Sequence, residues 1–238
     1  MGWKSFAVQS AVLTMPLFFL SSCEYRRAEI GPMHDEPISI DLGNVERARV
    51  RLNLGAGELR LRGGGEKLIE GRFEYNVAAW KPRVRYSASG SDGDVTISQP
   101  ESGGGFGDTR NNWNLELNDK VLLDFHLNCG AGQARLEMGE LNLQSVTINM
   151  GAGQVDLDLR GKPSRDYDVH VAGGVGQATI RVPDSVGVRA DAHGGIGHIE
   201  VTGLENRGDH YENSLYGTSK ANVRLKVEGG IGEIRIIG

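Results

Sequence analysis

Apolar and polar residues alternate along most of this chain, and the alternation recurs around a short glycine unit. The unit is Gly55-Ala56-Gly57, Gly130-Ala131-Gly132, Gly151-Ala152-Gly153, Gly174-Val175-Gly176, Gly195-Ile196-Gly197 and Gly230-Ile231-Gly232. Three residues before it stand Leu52, Leu127, Ile148, Val171, Ala192 and Val227. Four after its first Gly stand Leu59, Ala134, Val155, Ala178, Ile199 and Ile234, and six after stand Leu61, Leu136, Leu157, Ile180, Val201 and Ile236. Between those two columns Arg60, Arg135, Asp156, Thr179, Glu200 and Arg235 are polar throughout. A period of two is the signature of half-buried strands. Successive units are 75, 21, 23, 21 and 35 residues apart, so the repeat is near 22 residues with two insertions.

The phase changes inside each unit. Its middle residue falls in step with the inward column upstream, but the inward column downstream lies an odd step further on. The chain must therefore turn there, and the twelve glycines supply the backbone freedom for a corner. Strand, glycine corner, strand and turn together make one coil of a β-solenoid. Asn53, Asn128 and Asn149 share the column two before the unit, which predicts a partial asparagine ladder between coils.

The 75-residue step holds four further strand-like runs, at 68–75, 83–86, 95–98 and 113–117. Ser91-Asp92-Gly93-Asp94 predicts a hairpin between the middle two, and Gly103-Gly104-Gly105-Phe106-Gly107 reads as a loop. An antiparallel sheet extension is expected in this half. The 35-residue step carries a polar and aromatic insertion, about 205–222, where Tyr211 and Tyr216 offer a place for a partner. Its Arg207-Gly208-Asp209 triplet is read as coincidence. The end, Ile234-Arg235-Ile236-Ile237-Gly238, is apolar and edge-like, so a cap is expected there, with self-association through this C-terminal coil as one form of it.

Composition narrows the picture. The chain of 238 residues has 35 Gly, about twice the usual share, but only 7 Pro and no strict three-residue phase, which excludes collagen. Apolar residues at 39% can bury a core. Lys plus Arg total 26 against 31 Asp plus Glu, scattered without a basic run, so no nucleic acid partner is expected.

Residues 1–22 read as a lipoprotein signal peptide: Lys4, then a largely apolar stretch over 6–20, short for a membrane span. Leu20-Ser21-Ser22-Cys23 resembles the bacterial lipobox, in which the Cys thiol is the lipid acceptor. An ordinary signal or an uncleaved anchor is the alternative. Lipidation at Cys23 would attach the protein to a membrane, and Glu24 after it favours the outer membrane where one exists. Residues 23–42, with Pro32 and Pro37, suit a tether. Cys129 would then be the one thiol left, so no disulfide is possible, and its apolar-alternating surroundings predict a buried, unreactive group.

Several of these segments together resemble the bacterial toast-rack envelope proteins, including the C-terminal domain of LiaF-like cell-wall-antibiotic-response proteins. They are Val50-Arg51-Leu52-Asn53-Leu54-Gly55-Ala56-Gly57-Glu58-Leu59, residues 68–76, 113–117 and 123–132, and the unit at Gly151-Ala152-Gly153. The likeness covers about 45–158 well and the rest through the repeat. It implies an all-β fold with right-handed, solenoid-like stacking, no catalytic residues and a place at the cell envelope. On this basis 43–126 is expected to form an N-terminal toast-rack β region and 127–238 the C-terminal solenoid repeats. The chain departs from the LiaF type, because a lipobox stands where several transmembrane helices would be.

The chain offers little for catalysis. His126 and His170 occupy a polar outward column, and His193 with His198 make at most half a metal site. No nucleophile elbow, zinc-protease motif or phosphate loop occurs. Asp156 and Glu200 share a column with arginines, which reads as charge alternation between coils. No cofactor or metal is expected. The sequence thus points to a lipid-anchored, non-catalytic envelope scaffold or interaction module, conceivably within an envelope-stress response. A carbohydrate-binding or carbohydrate-active protein is the alternative, which a groove combining Trp80 or Trp113 with two carboxylates would favour.

Overall fold

The computed structural model describes residues 29–100 and 107–238. Cys23, the lipobox and Gly103, Gly104 and Gly105 lie outside the described residues. The fold is all-β. Its thirteen strands are β1 (His34–Ile40), β2 (Arg47–Arg62), β3 (Ile69–Tyr75), β4 (Arg83–Ser89), β5 (Asp92–Ser98), β6 (Asn111–Leu117), β7 (Leu122–Glu137), β8 (Leu143–Asp158), β9 (Tyr167–Arg181), β10 (Gly187–Thr202), β11 (Glu205–Asn206), β12 (Tyr211–Glu212) and β13 (Asn222–Ile237). They join one sheet in the order β1-β3-β6-β2-β7-β8-β9-β13-β10-β12-β11, with β5 on β2 and β4 on β5.

Six of these strands, each 15 or 16 residues long, carry the glycine unit at mid-length. In β2 the buried side chains are Ala48, Val50, Leu52 and Leu54 before the unit, then Leu59 and Leu61 after it. The buried set shifts from even to odd positions, so both arms of the bent strand turn their apolar side chains to one core. β2 shows the division on its outer edge: β5 pairs with the upstream arm (Arg47↔Asp92 to Asn53↔Ser98), and β6 with the downstream arm (Glu58↔Asn112 to Arg62↔Glu116). The core between the arms is closed at this end by Trp113, fully buried, whose indole stands edge-on to Phe73 at 5.3 Å. Trp113 Nε1 donates to Asn111 Oδ1 at 3.0 Å.

Parallel pairing in strict register stacks the six units: Ala56 against Ala131, Ala131 against Ala152, Ala152 against Val175, Val175 against Ile231, and Ile231 against Ile196. The second Gly of each unit has φ between +135° and +146°, a region open to glycine. A Cβ on Gly132, Gly153, Gly176, Gly232 or Gly197 would also collide with the carbonyl oxygen of the equivalent glycine on the neighbouring strand. Conformation and close approach both demand glycine here.

Several expectations are corrected. The middle residue of the unit does not face inward. Ala131, Ala152, Val175, Ile196 and Ile231 are exposed, because the bend swings this position onto the convex outside before the inward phase resumes. The C-terminal strand is not the end of the stack: β13 inserts between β9 and β10 and is paired on both sides, so it presents no free edge for self-association. Within the expected tether, His34–Ile40 is a strand, antiparallel to β3. Pro37 is tolerated there because β1 is an edge strand. The hairpin turn falls on Gly90-Ser91, as the Ser89↔Asp92 pair shows, slightly earlier than the composition indicated.

Candidate functional site

The six bends line up as a convex ridge, and the columns flanking it are mostly amides. Upstream, Asn149 Nδ2 donates to Asn128 Oδ1 and Asn128 Nδ2 to Asn53 Oδ1, both at 2.9 Å, and Asn53 Nδ2 donates to Ser98 Oγ at 3.1 Å. This is the predicted ladder. Downstream, Gln154 Nε2 donates to Gln177 Oε1 at 3.2 Å. Sequence reasoning missed the residues that finish the ridge at the β2 end. Gln99 Oε1 accepts from the Gly55 and Ala56 amides, at 2.9 and 3.1 Å, and Asn111 Nδ2 donates to Ala56 O at 2.8 Å. Only the spacing of polar residues after an apolar run could have hinted at them.

The ridge changes character along its length. Ala56, Ala131 and Ala152 are followed by Val175, Ile231 and Ile196, which are adjacent in register and 54%, 53% and 71% exposed. Behind them lies an apolar hollow of about 100 Å³, lined by Met150, Val155, Val171, Ala178, Val227 and Ile234. Its origin is a change of residue just before the unit. Leu54, Cys129 and Met150 fill that position in β2, β7 and β8, but Gly173, Gly229 and Gly194 occupy it in β9, β13 and β10. Ile234 and Ile199 fold over Gly229 and Gly194, within 3.0 and 3.3 Å of where a Cβ would sit. Ala178 is too short to do so for Gly173, which has open space around it.

Elsewhere on the outside, charges pair from strand to strand. Arg47 meets Asp92, Arg49 meets Asp124 and Arg51 meets Asp94, each at 2.7 Å, while Arg224 meets Asp168 at 2.5 Å. The Arg47 guanidinium holds the Asp92 carboxyl below its ordinary range. Asp156 lies between Arg135, at 3.9 Å, and Arg181. Glu200 stands 3.5 Å from Arg235. The charge alternation read from these columns is thus physical contact. Exposed pairs of this kind are screened by water and add little to stability, so their main effect is to neutralise the surface and favour one register.

Cys129 is buried, and desolvation pushes its thiol up to about 11. His126 contacts Asp124 at 3.0 Å and His170 contacts Glu228 at 2.8 Å. His193 and His198 are exposed, and among the described residues no cluster of three or more His, Cys, Asp or Glu could hold a metal ion. Trp80 and Trp113 are both buried, so neither lines the sugar-stacking groove that would favour the carbohydrate alternative. The insertion after β10 contributes Leu204 and Tyr211 to the edge of the core, and β12 pairs with Arg189 and Ala190 of β10. It caps one arm of the end strand.

The comparisons with known proteins fit this architecture. Residues 29–181 match the family described as the N-terminal domain of toast_rack, DUF2154. The chain belongs to the toast-rack family. Residues 131–236 also match the C-terminal domain of LiaF, described as cell wall-active antibiotics response, which associates the chain with the cell envelope. The chain is similar in structure to a candidate cell adhesion protein from Clostridium sporogenes, at 34% identity and a TM-score of 0.84, over 86% of this chain and 99% of that one. A candidate adhesin from Bacteroides fragilis aligns over 89% of this chain and all of its own length, but at 8% identity and a TM-score of 0.35 it carries no argument. No curated protein matches the chain. Among the described residues no helix is long and apolar enough to cross a membrane.

Proposed function

We propose that this toast-rack protein is a lipid-anchored, non-catalytic scaffold of the bacterial cell envelope, held by a lipid on Cys23 and acting through binding. One observation carries this reading: many outward ionisable side chains pair with one another, strand to strand, while Val175, Ile231 and Ile196 stand exposed side by side on the ridge. Exposed pairs of this kind neutralise the surface rather than build a site. Binding surfaces instead leave apolar groups in water. The similarity to a candidate cell adhesion protein supports a binding role, and the LiaF-like match supports a place in the response to envelope stress.

Fractionation of cells carrying Cys23→Ala tests the anchor. The wild-type protein should sediment with membranes and the variant should be released. A variant that stays with the membrane favours an uncleaved N-terminal anchor. Deletion of the gene tests the wider role: altered sensitivity to cell-wall antibiotics is expected of a stress-response component, whereas lost surface attachment is expected of an adhesin.

A further inference from the structure

The ridge has apolar side chains at both of its ends. At one end stand Val175, Ile231 and Ile196. At the other the chain enters the fold: Gly31 N donates to Asn76 O at 2.7 Å, Asn76 N donates to Arg110 O at 3.1 Å, and His34 pairs with Tyr75, which pairs with Asn111. Asn111 is hydrogen-bonded to Ala56 within the first bend, so the N-terminal entry lies level with the ridge. Ile30 and Met33, beside that entry, are 45% and 51% exposed. From β1 to β10 the row crosses nine strands, about 38 Å at the usual strand spacing.

We infer that the ridge is a membrane-contact face, laid along a neutral lipid surface with Val175, Ile231 and Ile196 entering the interface. This rests on the proposal that Cys23 carries lipid. Eight residues separate Cys23 from Gly31, a reach of at most about 28 Å. The anchor therefore leaves the fold on the ridge side and keeps the ridge within reach of the bilayer. The apolar stripe at the far end provides a second attachment, which turns a domain hanging on a tether into one lying flat. A lipid on one residue fixes a point and leaves the domain free to swing, so a second contact is what sets its orientation.

The charge pattern selects the kind of surface. The two columns beside the ridge are Asn53, Asn128, Asn149, Ala172, Glu228 and His193 upstream, and Glu58, Gln133, Gln154, Gln177, Glu233 and His198 downstream. Neither contains Lys or Arg. The two glutamates nearest the stripe are paired with cations, Glu228 with Lys226 at 2.8 Å and Glu233 with Arg235 at 2.7 Å. The cations nearest the stripe, Lys226 and Arg235, are paired with those glutamates, so insertion of aliphatic side chains between neutral headgroups is the contact this part of the ridge offers. A second copy is a poorer occupant, because three half-exposed aliphatic side chains fall well short of the about 800 Å² per partner that a standard interface buries.

The test uses the full lipidated chain bound to phosphatidylcholine vesicles, with an environment-sensitive fluorophore on Ile196→Cys. Cys129 is buried and Cys23 is acylated, so labelling is confined to the new thiol. A second variant, Ser89→Cys, places the label at the opposite end of the upstream arm. Brominated acyl chains should quench the label at 196 at least about twofold, leave the label at 89 unchanged, and do so equally at low and high salt. A label at 196 that stays unquenched on protein that floats with the vesicles overturns the ridge contact while leaving the anchor intact. Crosslinking of position 196 to itself in another molecule, without quenching, assigns the stripe to a second copy and also overturns the proposal. Failure of the chain to float at all overturns the anchor, and the ridge placement with it.

Discussion

Gly197 lies so close to the carbonyl oxygen of Gly232 that no Cβ fits between them, although Gly232 follows it by a whole insertion in the sequence. The same contact recurs down the stack, Gly232 on Gly176, Gly176 on Gly153, Gly153 on Gly132 and Gly132 on Gly57. Each bend is therefore held by its neighbour, and the ridge is a column of backbone in van der Waals contact.

Gly176→Ala should destabilise the protein by about 3 kcal/mol or more, since it combines an unfavourable φ with a backbone clash. Gly173→Ala, three residues earlier on the same strand, meets nothing within 4 Å. It should be neutral or stabilising by up to about 1 kcal/mol through the unfolded state. Urea denaturation midpoints separate the two. Equal losses would mean that glycine is needed at the bend for a reason other than its second position.

Asn128 donates to Asn53 and accepts from Asn149, so it sits in the middle of a three-residue ladder. Asn128→Ala breaks two hydrogen bonds and should cost about 1 kcal/mol at this exposure. Asn149→Ala breaks one and should cost about half as much. A larger loss at Asn149 in thermal melts would show that the ladder is not the source of the effect.

The Cys129 thiol, raised to about 11 by burial, stays protonated across the physiological range. Its neutral form is a poor nucleophile. Iodoacetamide at pH 8 should leave it unmodified in the folded protein and alkylate it within minutes in 6 M guanidinium, as read by mass. Rapid native labelling would place the thiol in a pocket open to solvent.

His210 stands 2.6 Å from Asp209 and 3.2 Å from Glu212, and the hydrogen bond to Asp209 raises its pKa above the ordinary value. Arg189 faces it from β10 and opposes the shift. A histidine raised on folding contributes stability that is complete below its unfolded value of about 6.5. That contribution fades as pH climbs through the higher folded value. Hydrogen-exchange protection of the hairpin made by β11 and β12, corrected for intrinsic rates, should fall across that window. His210→Gln should remove the dependence, and a hairpin whose protection ignores pH would show that the imidazolium does not hold it.

The strands and their inward columns were legible in the sequence because period two survives on both arms of each bend, and the asparagine ladder because its column holds one residue type in three consecutive coils. Ala152, Val175, Ile196 and Ile231 misled, since phase counting assumes a strand that continues straight and the bend inserts a step that points outward. The place of β13 was not legible at all. All six units look alike, and likeness within a repeat carries no information about which copy lies beside which. Trp80 and Trp113 read as groove candidates because aromatic residues near carboxylates look the same in sequence whether they face a ligand or a core. Gln99 and Asn111 were missed because their role depends on meeting a glycine unit some fifty residues away.

The insertion of β13 makes completion of the chain a condition of completing the sheet. Until residue 222 and its successors have been synthesised, β9 has an open edge, and β10 has no proper neighbour on that side. A chain cut short within β13 would hold two unpaired parallel edges side by side, the sort of surface that proteases and chaperones engage. The stack thus waits on β13, and only a chain that includes it closes.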